Sequence, residues 1–304
     1  MSRRRITSVI AAIAAVPLLF SLAACATPAA GEASSSDAPA NETVKIGVVG
    51  KGDPQWPAFV EAAAAEGITV ELVDFGSYEQ PNPALTEGDL DLNQFQHIVY
   101  LAGYNVASGE DLTVIGSTAI YPLGLYSKKF DDVKSIPAGE TVAVPDDASN
   151  QARALLVLQS AGLVELKSGG SIFSDLADVD TDKSKVKVTA LEAALLPTAL
   201  PDVAAAILNN DFVEDAGLTF ADAIAQDDPE DSNALPYVNI FAARASDADN
   251  VTYKKLVEIF QTNETVQKGL LESSGNTGTS LQTPVADLVE SLKKVEADTK
   301  AQKG

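Results

Sequence analysis

The sequence predicts an α/β architecture divided into two lobes, on three observations. From Val44 onward, short runs rich in Val and Ile alternate with Ala- and Leu-rich helical stretches, the pattern of a mostly parallel sheet covered by helices. The alternating region is about 260 residues long, enough for one large domain or two lobes. Two extended segments, 119–126 and 236–243, can each carry the chain between lobes, leaving 128–236 as the inserted lobe and 43–127 with 237–304 as the first.

The N-terminus carries its own signal. Arg3, Arg4 and Arg5 precede an apolar stretch at 6–24 that ends Leu22-Ala23-Ala24-Cys25. Positive charge ahead of a short hydrophobic segment is the layout of a secretory signal peptide, here residues 1–24. A transmembrane anchor is the competing reading, since the stretch nearly reaches bilayer length. Small residues crowd its C-terminal end, however, and the chain's single Cys sits at the cleavage position, the pattern of a bacterial lipobox. Cys25 is therefore the expected lipidation site; one acyl chain anchors only marginally, so two or more are needed. Residues 25–42, rich in Ala, Ser, Pro and acidic side chains without apolar period, read as a lipidated flexible tether.

The folded region then runs strand 44–49, helix 57–66 stopped by Gly67, strand 68–73, and a short helix at 84–88 closed by Gly88. Strands follow at 112–115, 119–126 and 141–144, each rich in Val, Ile or Leu. Asp147-Ala148-Ser149-Asn150 precedes a helix at 151–161, which places Arg153 in its first turn. Strands at 186–189, 204–208 and 237–243 complete the sheets, and three helical segments lie between Tyr253 and Ala301.

Charge and composition exclude several functions. With 43 Asp and Glu against 21 Lys and Arg the net charge is −22, and losing the three leader arginines takes the mature chain to −25. That field repels phosphate backbones, so nucleic-acid binding is not expected. A lone Cys makes no intramolecular disulfide, and with one His it builds no nitrogen- or sulfur-rich metal cage. An all-oxygen calcium site stays open on composition, although Asp178-Val179-Asp180-Thr181-Asp182 lacks the glycine and closing Glu of a calcium loop. No Gly-x-Ser-x-Gly elbow is present, and the glycines at 47–52 match neither dinucleotide nor P-loop spacing. The expectation is a monomeric, non-enzymatic protein without cofactor or metal.

Candidate binding residues concentrate at 89–101, which holds the only histidine, His97, flanked by Phe95 and Tyr100. By pattern alone this reads equally as a half-buried helix face with the aromatics in the core, and Asp89 and Asp91 as a solvated helix start. Resemblance separates the alternatives. The string from Pro81-Asn82-Pro83-Ala84-Leu85 to Asn93-Gln94-Phe95-Gln96-His97 closely resembles the NlpA family of methionine-binding lipoproteins. Matching stretches follow in order at 121–129, 147–156 and 236–239.

The resemblance implies a type II periplasmic-binding-protein fold, with two α/β lobes joined by two crossover segments and the ligand cleft between them. It implies an extracytoplasmic lipoprotein of an ABC importer that captures L- or D-methionine, or a methionine dipeptide. The partners implied are a membrane permease and its ATPase. Carried over residue by residue, the ligand shell falls on Tyr78, Phe95, His97 and Tyr100 of the first lobe. Asn150, Arg153 and Asn209 come from the second, and Asn239 from the return crossing. A guanidinium suits a carboxylate, amide oxygens suit an ammonium, and aromatic rings suit a thioether. Arg153→Ala is accordingly expected to abolish binding with little effect on stability. Departures at Leu196-Pro197-Thr198, Asn210-Asp211-Phe212 and 231–236 leave room for another small amino acid, or for an adhesin or regulatory role on the same fold.

Overall fold

The structure, a computed structural model, describes residues 43–231 and 234–303. The signal peptide, the tether and Cys25 lie outside the described residues. No helix among the described residues is long and apolar enough to cross a membrane.

The first lobe is built on a five-stranded sheet of order β2-β1-β3-β11-β4. Its strands are β1 (Thr43–Val48), β2 (Thr69–Asp74), β3 (Leu92–His97), β4 (Thr113–Ser117) and the late-returning β11 (Asn239–Ala243). β1 pairs parallel with β2 and β3, whereas β11 runs antiparallel to both β3 and β4. Helices α1 (Gln55–Ala65), α6 (Val251–Thr262) and α7 (Glu264–Glu272) cover one face. Trp56, Phe59 and Ala63 recur at helical spacing along α1, and the rings of Trp56, Phe59, Phe241 and Phe260 form one cluster with neighbouring centroids 5.1–6.3 Å apart. At Gly269 a Cβ would lie 2.5 Å from the backbone nitrogen of Gln55, so only glycine lets α7 approach the start of α1. The other face carries α2 (Pro81–Glu87), α3 (Ile98–Ser108) and the terminal α8 (Val285–Lys303), whose Leu288, Leu292 and Val295 pack with Ile98 and Leu101.

Between them the chain visits β5 (Ala119–Ile120), which pairs with β12 (Thr279–Ser280), and then enters the second lobe. There the sheet order is β10-β6-β9-β7-β8, from β6 (Gly124–Tyr126), β7 (Thr141–Pro145), β8 (Lys187–Leu191), β9 (Ala205–Leu208) and β10 (Ala225–Gln226). Helix α4 (Ala148–Ser160) packs Ala154, Leu155 and Leu158 onto Val142, Val144 and Ile207, and α5 (Leu196–Ala199) closes the opposite face. This is the two-lobed type II binding-protein fold. β6 belongs to the second sheet although it precedes residue 128, because Gly124 and Leu125 pair with Leu208 and Ile207. The outward crossing therefore occupies 118–123 and the return 227–238.

Three local readings of the sequence are corrected. Residues 92–97 form a fully buried strand, not a helix face, and α3 starts only at Ile98. Asp91 is no helix start: its Oδ2 accepts the Lys45 N–H at 2.8 Å and its Oδ1 accepts the Tyr253 hydroxyl. Helix α4 begins three residues earlier than the sequence suggested, capped by Asp147, so Arg153 stands in its second turn, away from the free N–H groups at the end.

Candidate functional site

The strand β3 presents its site residues through a backbone irregularity. Opposite it on β11, Asn239 faces His97 and Ile240 faces Gln96, but the next residue, Phe241, faces Gln94. Phe95 thus has no residue opposite it, which is a β-bulge. Residues three apart on a regular strand point to opposite faces; here Gln96 Nε2 reaches Asn93 Oδ1 at 2.9 Å. Asn82 joins them, its Nδ2 donating to Gln96 Oε1 at 2.8 Å and its Oδ1 accepting from Gln96 and Asn93. The polar residues of the hallmark string therefore form a buried amide lattice. It fixes the bulge that sets Phe95 and His97 in the wall of the cleft.

All eight sequence-predicted residues line one interlobe cavity: Tyr78, Phe95, His97, Tyr100, Asn150, Arg153, Asn209 and Asn239. Its volume is about 40 Å³. One wall is aromatic. Tyr78, Phe95 and Tyr100 lie with ring centroids 5.7–6.1 Å apart, and Phe212 of the second lobe comes within 5.1 Å of Tyr78.

The opposite side is an ordered chain of polar groups. Asp147 caps α4 by accepting from the Asn150 backbone N–H and from Ser149 Oγ, and it also accepts from Asn150 Nδ2 at 3.1 Å. With its NH₂ bound there, Asn150 turns Oδ1 outward, where it accepts from Asn209 Nδ2 at 3.0 Å and lies 3.2 Å from His97 Nε2. His97 Nδ1 accepts the Tyr100 N–H, so the neutral ring carries its proton on Nε2 and donates it to Asn150. Burial, assisted by the Arg153 charge, lowers His97 to about 3. Both ring nitrogens are engaged, so His97 is a fixed strut and not a free base. At the end of the chain, Asn209 Oδ1 is buried with no hydrogen-bond partner among the described residues.

Arg153 is 6% exposed and already partnered. Nε donates to Asp227 Oδ2 at 2.6 Å, and Nη2 donates to Asp227 Oδ1 at 3.1 Å and to the Tyr121 carbonyl at 2.7 Å. Of the guanidinium's five N–H groups, the two on Nη1 have no partner among the described residues. The ring of Tyr237 lies 4.6 Å from Cζ. A larger groove, about 430 Å³, lies behind Arg153 and is lined by Leu156, Val157, Ile172 and Asp228.

Sequence reasoning missed Asp211, Asp227 and Tyr237. Asp211 Oδ2 accepts the Tyr78 hydroxyl at 2.7 Å, a direct bond between lobes, and burial raises its carboxyl to about 6. Asp211 was visible only as a departure from the family pattern. Asp227 pairs with an arginine 74 residues away, a distance at which the sequence carries no local signal.

This geometry accepts a zwitterion: donors on Nη1 for a carboxylate, an unpaired amide oxygen for an ammonium, and rings for an apolar side chain. Residues 44–278 match the model of the NlpA lipoprotein family. The chain is 37% identical over 257 residues to the probable D-methionine-binding lipoprotein MetQ of Pasteurella multocida, covering 84% of this chain and 92% of that one. The substrate-binding protein of a methionine transporter from Streptococcus pneumoniae superposes with TM-score 0.73 at 33% identity, over 79% of this chain and 95% of that one. A nutrient-binding protein from Burkholderia cenocepacia, solved bound to methionine, gives 0.72 at 37% identity, over 78% and 99%.

Proposed function

The chain belongs to the NlpA lipoprotein family, and on that premise we propose that it is the extracytoplasmic methionine-binding component of an ABC importer. Lipid attached at Cys25 tethers it to the outer face of the cell membrane, and the loaded protein delivers its ligand to a permease driven by an ATPase. In this reading residues 43–127 with 237–304 form the first lobe and 128–236 the second, except that β6 goes with the second.

One observation carries the reading. Arg153, with Nη1 uncommitted, and Asn209, with Oδ1 unsatisfied, line the same small cavity as the rings of Tyr78, Phe95 and Tyr100. In the proposed complex the ligand carboxylate takes Nη1, the ammonium donates to Asn209 Oδ1, and the thioether lies on the rings. Sulfur–aromatic contact of this kind contributes about 0.3–1.5 kcal/mol. Asn239, whose side chain makes no hydrogen bond among the described residues, supplies a further amide. Because these groups come from both lobes, ligand contacts are complete only when the lobes are together, so binding favours closure.

Calorimetric titration of the mature protein with L-methionine, D-methionine and glycyl-methionine tests the proposal. One-to-one binding of at least one of them, with no heat from leucine, is expected. Binding of leucine alone, or of none of the four, contradicts it.

A further inference from the structure

We infer that Asp227 is a positioning residue that aims Arg153 at the ligand carboxylate and so makes the cleft select free acids over their amides. The inference rests on the amino-acid reading above and extends it to a residue on the return crossing that does not line the cavity.

Arg153 projects from a helix of the second lobe, yet its polar contacts lie on the two crossings. The outward crossing offers the Tyr121 carbonyl, and the return crossing offers the Asp227 carboxylate and the Tyr237 ring. Asp227 also ties the crossings together, since its Oδ1 accepts the Leu123 N–H at 2.7 Å. The carboxylate takes the Nε and Nη2 side of the guanidinium in a two-pronged pair, which fixes the plane of the fork and leaves Nη1 uncommitted. Without it, a long side chain beside a roomy groove lined by another carboxylate, Asp228, has a second place to go.

Two effects of Asp227 oppose each other. Its negative charge repels a ligand carboxylate, so Coulomb repulsion alone predicts that removing it tightens binding. Its orientation of the fork predicts the reverse. The geometry favours orientation, because both prongs and the Leu123 tether are in place and only one guanidinium nitrogen is offered.

The test is titration of the mature protein with L-methionine and L-methioninamide, which lacks the carboxylate. Wild-type protein should prefer the acid. Asp227→Asn should bind the acid about tenfold or more weakly and the amide nearly as before, so the acid-to-amide ratio shrinks. Asp227→Glu, which restores a two-pronged carboxylate, should recover most of the ratio. Equal losses for both ligands, or unchanged or tighter binding of the acid, would overturn the inference. Should Asp227→Asn fail to fold, Arg153→Lys decides: an ammonium cannot present a fork, so the ratio must collapse with Asp227 still present, and a preserved ratio overturns the inference. A wild-type protein that binds neither ligand overturns the amino-acid reading itself, before any Asp227 variant is compared.

Discussion

His97 Nε2 of the first lobe and Asn150 Oδ1 of the second stand 3.2 Å apart across the cleft, both buried. Asn150 Oδ1 also serves Asn209, so one amide oxygen sets the His97 ring, the Asn209 side chain and the closed arrangement of the lobes.

Asn150→Ala should therefore damage binding beyond any single ligand contact. It strands the Nε2–H of His97 and the Nδ2 of Asn209, each at about 1–3 kcal/mol if left unsatisfied, and frees Asn209 to turn its oxygen away from the ligand. A fall in affinity of at least about a hundredfold is expected in calorimetry. Asn150→Asp, which keeps an oxygen for His97 but faces the Asp147 carboxylate, should bind poorly and improve as pH is lowered.

Removing Arg153 should cost stability as well as binding, contrary to what the sequence alone suggests. Its side chain is 8% exposed and that of its partner Asp227 is 28% exposed. Arg153→Ala leaves a partly buried carboxylate and the Tyr121 carbonyl without their donor. Breaking a fully buried pair costs about 3–5 kcal/mol; solvent around Asp227 reduces that, so about 1–3 kcal/mol is expected. Urea unfolding without ligand reads it as a lower midpoint with unchanged slope, and the double variant Arg153→Ala with Asp227→Ala should regain part of the loss.

Tyr78→Phe removes the hydroxyl that Asp211 accepts across the cleft. Hydrogen bonds to charged groups contribute about 1.5–3 kcal/mol, so closure weakens and affinity falls about ten- to a hundredfold at neutral pH. The aromatic wall itself is untouched. An unchanged affinity would mean that the Tyr78–Asp211 bond plays no part in closure.

Stability should depend on pH in two opposing ways. Burial raises Asp53 to about 7, with the Asp211 charge adding to it, and burial raises Asp211 to about 6. Glu214 and Asp74 also face Asp53 and push the same way. A carboxyl raised above its ordinary 3.8 stabilises the fold when protonated, an effect complete below that value and lost as pH rises through 6 to 7. His97, lowered from 6.5 to about 3, does the opposite: its contribution is present above 6.5 and is lost as pH falls toward 3. The melting temperature should accordingly rise on acidification from about pH 8 to 6.5, where only the carboxyls act. Asp53→Asn should flatten that rise, and His97→Gln should leave it intact.

What the sequence disclosed and concealed follows one physical line. The apolar strands and the helices closed by Gly67 and Gly88 were legible because burial and capping act on local residue types. Of the eight cleft residues, Phe95 and His97 were legible through the family string, and the other six only through the wider resemblance. β3 was not: Leu-Asn-Gln-Phe-Gln-His is mostly polar yet fully buried. An amide lattice closed by Asn82, outside the strand, satisfies Asn93 and Gln96, while Gln94 Nε2 donates to Thr118. Hydrophobic period cannot report a strand whose interior is satisfied by hydrogen bonds. Asp211 and Asp227 escaped for a related reason. Each acts through a partner on another part of the fold, Tyr78 and Arg153, and nothing local distinguishes them from the chain's many surface acids.

A crystal structure of the mature protein grown with L-methionine would test the account at its centre. It should show one amino acid between the lobes, its carboxylate on Arg153 Nη1, its ammonium on Asn209 Oδ1, and its sulfur against Phe95 or Tyr100. An amino acid bound with its carboxylate remote from Arg153, or held on a surface that shares nothing with the His97–Asn150 contact, would contradict it.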